Sequence, residues 1–260
     1  MKYLGGKQRL GKHLSPVLHE LFEEYNKTHE VPLDCYLEPF CGSLGVLKHM
    51  TDLGVPVYAS DYHPDLICMW KGVQDESLVF PESVSEEEYL ATKHSESPNA
   101  LKGFVGFGMA FGGRFFGCYS QKYLNGKKED FCKEMRNSLN RTRPKITNVN
   151  FSCKDYRDWK PKKAFIYCDP PYRYNKYPIK YRKGVKDYDV FDNDEFWNVM
   201  REWSKDNLVV VSEVSAPDDF KEIWSQVRYR SACQSTKTRY SEQSEVISET
   251  RCSEKLFYQK

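Results

Sequence analysis

Apolar positions recur at helical spacing over residues 8–27, where Leu10, Leu14, Val17, Leu18, Leu21 and Phe22 share one stripe, so this stretch predicts an amphipathic helix. A short apolar run at 34–37 predicts a strand. Residues 55–60 predict a second strand, closing on Asp61. Between the two, Ser43 is a candidate cap for a helix over 44–53, which Gly54 would end. Pro64 opens a further helix carrying Leu66, Ile67, Met69 and Trp70. Strand, helix, strand, helix is the opening of an open α/β sheet.

The rhythm then breaks. Residues 77–100 are acidic and punctuated by serine and proline. Residues 101–126 hold seven of the fifteen glycines and seven aromatics, which is poor helix material and rich in turns. A helix is expected over 131–139, and sheet logic resumes with a strand over 146–151. Residues 164–168, Ala-Phe-Ile-Tyr-Cys, read as the clearest buried strand, apolar on both faces as a central parallel strand should be. Further on come a helix over 192–203, a central strand over 208–211, a short helix over 218–224 and two tail strands over 227–234 and 255–258. This pattern divides the chain into a first catalytic part (1–64), an inserted module (65–146) and a second catalytic part (147–260). There are no internal repeats.

Composition changes this picture little. With 260 residues, 40% hydrophobic and 29% charged, the chain has material for an ordinary core. It has no apolar run of bilayer length, and no secretory signal is expected at its start. The nine cysteines are odd in number and lack Cys-x-x-Cys spacing, so free thiols in a reducing compartment are expected rather than a disulfide framework or zinc site. Net charge is only +2, but its distribution is uneven. Residues 173–186 carry six basic residues and three tyrosines with no acid, and 101–128 carry five basic residues with no acid. Such stretches suit a phosphate backbone.

The chemistry centres on Asp169-Pro170-Pro171-Tyr172, directly after the 164–168 strand. Ligands of open α/β sheets bind beyond the carboxyl ends of the strands. Two prolines fix φ and remove two N–H donors, leaving a stiff turn of acceptors: the Asp169 carboxylate and the Pro170 carbonyl. That set suits an exocyclic amine, which offers two N–H groups. Tyr172 adds a flat face on which a base can stack. An Asp-Pro-Pro turn closed by a packed tyrosine would look the same. The position, after a buried strand and before a basic tyrosine-rich stretch, favours a site. Asp61, 19 residues after Gly42, suits either the ribose hydroxyls of a nucleotide-like cofactor or the N-cap of the helix at Pro64.

Asp169-Pro170-Pro171-Tyr172 resembles motif IV of the amino-methyltransferases, in the form typical of adenine-N6 enzymes; cytosine-N4 enzymes usually carry serine in place of the acid. Glu38-Pro39-Phe40-Cys41-Gly42-Ser43 resembles their cofactor motif I, although its glycines at 42 and 45 depart from the glycine-rich norm. Tyr3-x-Gly5-x-Lys7 resembles the segment that precedes motif I in the Dam-like branch. Residues 212–217 and 250–257 resemble segments of phage-type relatives, the latter their closing strand. In this order, over nearly the whole chain, the sequence is similar to the Dam-like (D12 class) DNA adenine-N6 methyltransferases of bacteria and phages.

The resemblance implies a Rossmann-like class I S-adenosylmethionine-dependent methyltransferase, an α/β fold with a seven-strand mixed sheet and an inserted, mainly helical target-recognition module. It implies transfer of the methyl group of S-adenosylmethionine to the N6 amine of an adenine flipped out of duplex DNA, with no metal required. Asp169, Pro170, Pro171 and Tyr172 would be catalytic. Tyr3, Lys7, Glu38, Pro39, Phe40, Gly42, Asp61, Phe151, Cys153, Asp155 and Asp169 would line the cofactor. Arg114 would read guanine or grip phosphate. Phe115 or Phe116 would be a wedge beside the flipped base, or the module's core. Lys122, Lys180, Arg182 and Lys183 would touch DNA. A cytoplasmic location, in a bacterium or a virus-infected host, and a cognate restriction endonuclease of the same recognition site also fit the family. The family's Asn-containing segment does not align with residues 106–109, which leaves the target sequence open. Two rivals remain, an RNA adenine or guanine amino-methyltransferase and a catalytically silent DNA-binding relative. The long insertion argues against the first, and the intact Asp-Pro-Pro-Tyr with Asp61 against the second. A dehydrogenase would carry Gly-x-Gly-x-x-Gly, which is missing.

Overall fold

The structure, a computed structural model, describes residues 1–121, 123–124, 127–172, 191–230 and 250–259. In chain order its elements are α1 (Gly11–Thr28), β1 (Cys35–Glu38), β2 (Val57–Asp61), α2 (Pro64–Gln74), α3 (Glu86–His94), α4 (Ala100–Gly108), a small hairpin of β3 (Tyr123–Leu124) and β4 (Lys127–Lys128), α5 (Phe131–Thr142), β5 (Val149–Cys153), β6 (Ala164–Cys168), α6 (Asn193–Trp203), β7 (Leu208–Glu213), β8 (Phe220–Arg230) and β9 (Thr250–Gln259).

Seven strands form one mixed sheet in the order β5-β2-β1-β6-β7-β9-β8. The first five run parallel, and β9 is antiparallel to both β7 and β8. The strand over 164–168 is therefore the middle strand, as its two-sided apolar character predicts. Its alternation divides the core. Phe165 and Tyr167 pack on one face with Leu14, Leu18 and Phe22 of α1. Ile166 and Cys168 pack on the other with Phe196, Met200 and Trp203 of α6. The chain leaves the sheet after β2 and returns at β5, its parallel neighbour, by way of α2, α3, α4, the hairpin and α5.

Three local expectations are corrected. No α-helix forms over 44–53; only a single 3-10 turn, Leu47–His49, is present. Gly42 and Leu44 both have positive φ, +45° and +56°, which interrupts a helix. The loop is also pressed against the chain start: a Cβ on Gly45 would lie 2.7 Å from the Lys7 carbonyl carbon. Its carbonyls bond elsewhere, Gly42 accepting from Trp70 Nε1 at 2.9 Å and Ser43 from Gln8 Nε2 at 2.6 Å.

Residues 100–108, read as turn-rich, are helix α4. Its glycines serve close packing: a Cβ on Gly103 would lie 2.3 Å from the Asp65 carbonyl oxygen on α2, and one on Gly106 would lie 2.3 Å from the Phe115 ring. The acidic stretch before it holds α3, started by a capping box between Ser85 and Glu88. Residues 218–224, expected as a short helix, open strand β8. Phe220, Ile223, Trp224 and Val227 mimic helical spacing because a bulge between Glu222 and Trp224 breaks the period of two.

Candidate active site

Five parallel strands end on one side of the sheet, and four of them finish in acids or lead directly into one. Glu38 ends β1, Asp61 ends β2, Asp169 follows β6 and Glu213 ends β7. An acid at the end of a buried strand has few waters to solvate its charge. Burial pushes Asp61 up to about 6, Asp169 up to about 6 and Glu213 up to about 7, and raises Glu38 well above the usual carboxylate range. Glu38 accepts a 2.7 Å hydrogen bond from Tyr36 Oη.

The segment before α1 brings a cation to this end. Lys7 is 7% exposed; its Nζ lies 2.7 Å from Asp169 Oδ1 and 3.4 Å from Oε1 of Glu254 on β9. Burial alone would lower its pKa, but the two carboxylates outweigh burial and raise it, so the ammonium stays charged. The same ammonium sits 4.6 Å from the centre of the Tyr172 ring. Tyr172 Oη bonds Glu254 and lies 3.2 Å from Ser212 Oγ on β7, and Ser212 Oγ donates to Glu254 at 2.5 Å. Asp169, Lys7, Tyr172, Ser212 and Glu254 thus form one connected polar group.

A second group surrounds the loop after β1. Asp61 is 8% exposed and accepts from the amides of Gly42 (3.0 Å) and His63 (2.9 Å). Gly42 lies under Tyr3: a Cβ there would sit 3.2 Å from the Tyr3 ring. Tyr3 packs 5.2 Å from Phe107, which meets His63 at 5.2 Å and Phe115 at 4.8 Å. His63 caps α2 by accepting from Leu66 N, so the N-cap role considered for Asp61 belongs to His63; burial holds its imidazole down to about 4. Ser43 Oγ is buried and finds no hydrogen-bond partner among the described residues.

The structure brings Tyr3, Lys7, Glu38, Gly42, Asp61, Asp169 and Tyr172 to this end of the sheet, with Pro39 after β1 and Pro170 and Pro171 after β6. Phe40 lies against Tyr156, Phe191 and Phe196. Phe151 and Cys153 lie on β5, opposite Ala59 and Asp61 of β2. Asp155 has both oxygens engaged by Arg157. In the insertion, Phe116 is a buried core side chain and Phe115 a half-buried one set edge-on to His63, while Arg114 is exposed. Lys122, Lys180, Arg182 and Lys183 lie outside the described residues.

Sequence reasoning passed over His63, took in Glu213 only as part of the 212–217 segment that could touch the target base or its pocket, and took in Glu254 only as part of the closing strand. A signal existed for Glu213 itself, which ends a buried strand as Glu38 and Asp61 end theirs. Glu254 gave none, because it stands in the polar run Ser253-Glu254-Lys255 like any solvated acid. Among the described residues no cluster of histidine, cysteine and acid could hold a metal, Cys35, Cys41, Cys68, Cys118, Cys132, Cys153 and Cys168 are free thiols, and no helix is long and apolar enough to cross a membrane.

A sheet of this order, with acids and an Asp-Pro-Pro-Tyr turn at the carboxyl ends of its parallel strands, is the α/β fold that the resemblance to S-adenosylmethionine-dependent methyltransferases implies. The sequence matches the pattern of the D12 class N6 adenine-specific DNA methyltransferases over residues 3–106 and 112–245, and the chain belongs to that family. It is thereby an S-adenosylmethionine-dependent DNA adenine-N6 methyltransferase. A search of curated proteins finds no match. Among solved structures, the chain is similar to one named "putative RNA methyltransferase PH1948" from Pyrococcus horikoshii, at 7% identity and a TM-score of 0.37, over 95% of this chain and 83% of that one. A likeness that distant has no bearing on substrate.

Proposed function

We propose that the protein is a site-specific methyltransferase that takes an adenine extruded from duplex DNA and methylates its N6 amine, giving N6-methyladenine and S-adenosylhomocysteine. The observation that carries this reading is the Asp169 carboxylate, set at the end of the central strand by two prolines and held on one oxygen by Lys7 at 2.7 Å. An adenine inside a duplex cannot present N6 for in-line attack, so the base must leave the stack.

The residues beside Gly42 fit a cofactor of this kind. Gly42 takes a positive φ under the Tyr3 ring, Ser43 Oγ is a buried hydroxyl without a partner among the described residues, and Asp61 retains acceptor capacity beyond its backbone amides. Asp61 would accept from the ribose hydroxyls, with Tyr3, Glu38, Pro39, Phe40, Phe151 and Cys153 around the remainder. Asp155, committed to Arg157, would act only after exchanging that partner. When bound, S-adenosylmethionine supplies a methyl carbon already activated by its sulfonium.

The chain's own groups then orient the amine. Asp169 Oδ2 and the Pro170 carbonyl accept the two N6 hydrogens, which raises electron density on the nitrogen and turns its lone pair toward the methyl group. Tyr172 stacks on the ring. Lys7 keeps Asp169 ionised. Holding both partners in line is the main contribution of the protein, and the N6 proton leaves after transfer. Residues 65–146 would be the target-recognition module, with Arg114 at its surface, and the basic stretch 173–186 would run along phosphates.

The test is transfer of tritium from labelled S-adenosylmethionine to duplex DNA, to RNA and to neither, followed by sequencing of modified positions. The reading expects N6-methyladenine in DNA at a recurring sequence. Label appearing in RNA alone would overturn it.

A further inference from the structure

Glu254 lies on the last strand, β9, in a segment whose family likeness assigns it only to closing the sheet. Its surroundings are those of a site. Register places Ser212 opposite Leu256 and Glu213 opposite Lys255, so β9 runs along the carboxyl end of β7. Side chains alternate across a sheet. Lys255 therefore turns the other way, to Glu222 on β8 at 2.6 Å, and Glu254 turns towards β6 and β7. There its Oε1 meets three donors from three other parts of the chain: Lys7 Nζ at 3.4 Å, Ser212 Oγ at 2.5 Å and Tyr172 Oη. A carboxylate that is 12% exposed needs such donors to offset its lost hydration. None of the three belongs to β8 or to β9 itself, so the contacts do not serve the hairpin.

We propose that Glu254 is a positioning residue for methyl transfer, holding the Tyr172 hydroxyl and the Lys7 ammonium so that the tyrosine ring and the Asp169 carboxylate meet the target amine in one fixed arrangement. The inference rests on the proposed role of Asp169 and Tyr172 at the flipped adenine. Tyr172 has no proline on its far side, and its hydroxyl is held by Glu254 and Ser212, with the Asp169 carboxylate also within its reach. Ser212 is itself oriented by Glu254. Removing the carboxylate takes from the Tyr172 hydroxyl its acceptor on β9, and leaves Lys7 with Asp169 as its ion-pair partner among the described residues.

The charges facing Asp169 are Lys7 from the chain start, Glu254 from β9, Glu38 from β1 and Glu213 from β7, with Tyr167 and Tyr172 as neutral neighbours. Glu254 opposes ionisation of Asp169 and Lys7 promotes it. Loss of the Glu254 charge therefore moves the acid limb of the rate to lower pH. A strut with only a structural duty would not move it.

The experiment compares Glu254→Ala and Glu254→Gln with wild type in single-turnover tritium transfer to DNA at saturating cofactor, from pH 5 to 9, with cofactor affinity measured by calorimetry. Loss of hydrogen bonds to a charged group predicts a fall of roughly 10- to 100-fold in the plateau rate of Glu254→Ala, at unchanged cofactor affinity. Glutamine keeps an acceptor for Tyr172 and Ser212, so Glu254→Gln retains most of the plateau rate while its acid limb lies below that of wild type. A wild-type plateau in Glu254→Ala, or an unmoved acid limb in Glu254→Gln, overturns the proposal. If Glu254→Ala does not fold, the glutamine variant decides alone. Wild type that transfers no label to DNA would instead overturn the reading beneath it.

Discussion

Replacing Lys7 by methionine removes one charge from the centre of the site and keeps much of its bulk. The ammonium lies 2.7 Å from Asp169 and is 7% exposed, so its field is poorly screened. A unit-charge pair at 4 Å is worth about 4 kcal/mol at the effective dielectric of a protein surface, and one pKa unit corresponds to about 1.4 kcal/mol. Allowing for partial solvent access at Asp169, Lys7→Met should raise the Asp169 pKa by roughly 2 units. The starting point is about 6, already lifted by burial. The sign is fixed: a lost cation disfavours the carboxylate, so the acid limb moves to higher pH. At pH 7 only about one-tenth of Asp169 would remain ionised, given that shift, and the rate should fall about tenfold. Above pH 9 most of the loss should return. The assay is single-turnover tritium transfer to DNA across pH at saturating cofactor, with thermal unfolding as a check on folding. An acid limb that does not move would refute the claim that Lys7 acts through Asp169.

Three further outcomes follow from the same structure and sequence. Asp61→Asn should weaken S-adenosylmethionine binding by about 1–3 kcal/mol in calorimetry, through loss of charged hydrogen bonds, and unchanged affinity would remove Asp61 from the cofactor site. The folded pKa of Asp61 is raised from 3.8 to about 6, so its contribution to stability is full below pH 3.8 and is lost as pH rises through about 6; the melting temperature of the variant relative to wild type should therefore rise between pH 4 and pH 7.5. A difference that does not change with pH would contradict this. Neutralising Lys180, Arg182 and Lys183 together should flatten the salt dependence of DNA binding, by roughly 0.9 in slope for each phosphate that no longer meets a cation; an unchanged slope would return that stretch to solvated surface.

The turn that carries the candidate site was legible because its signals are local. An apolar run ending in Asp-Pro-Pro-Tyr states both the strand and the turn, and β6 lies where that pattern puts it. The loop after β1 was half legible. Gly42 and Asp61 were chosen for cofactor chemistry and stand hydrogen-bonded to each other, but the helix expected between them is prevented by contact with Lys7 and Gln8, far away in sequence. Helix α4 was hidden because glycine weakens an isolated helix, whereas here Gly103 and Gly106 let α2 and Phe115 approach. Strand β8 was hidden by its bulge. Glu254 was hidden by topology: only the return of β9 beside β7 brings it to residues from the opposite end of the chain.

The central claim is that Asp169 orients the target amine, and Asp169→Ala tests it most directly. Orientation and transition-state hydrogen bonding would vanish together, where removal of one well-placed polar group alone costs roughly 100- to 1000-fold in turnover. Single-turnover tritium transfer to DNA, with cofactor binding measured separately, should show cofactor affinity largely retained and methyl transfer almost abolished, with weak residual transfer in Asp169→Asn. Transfer by Asp169→Ala at near wild-type rate would contradict the account and leave the carboxylate as a group that only stabilises the turn.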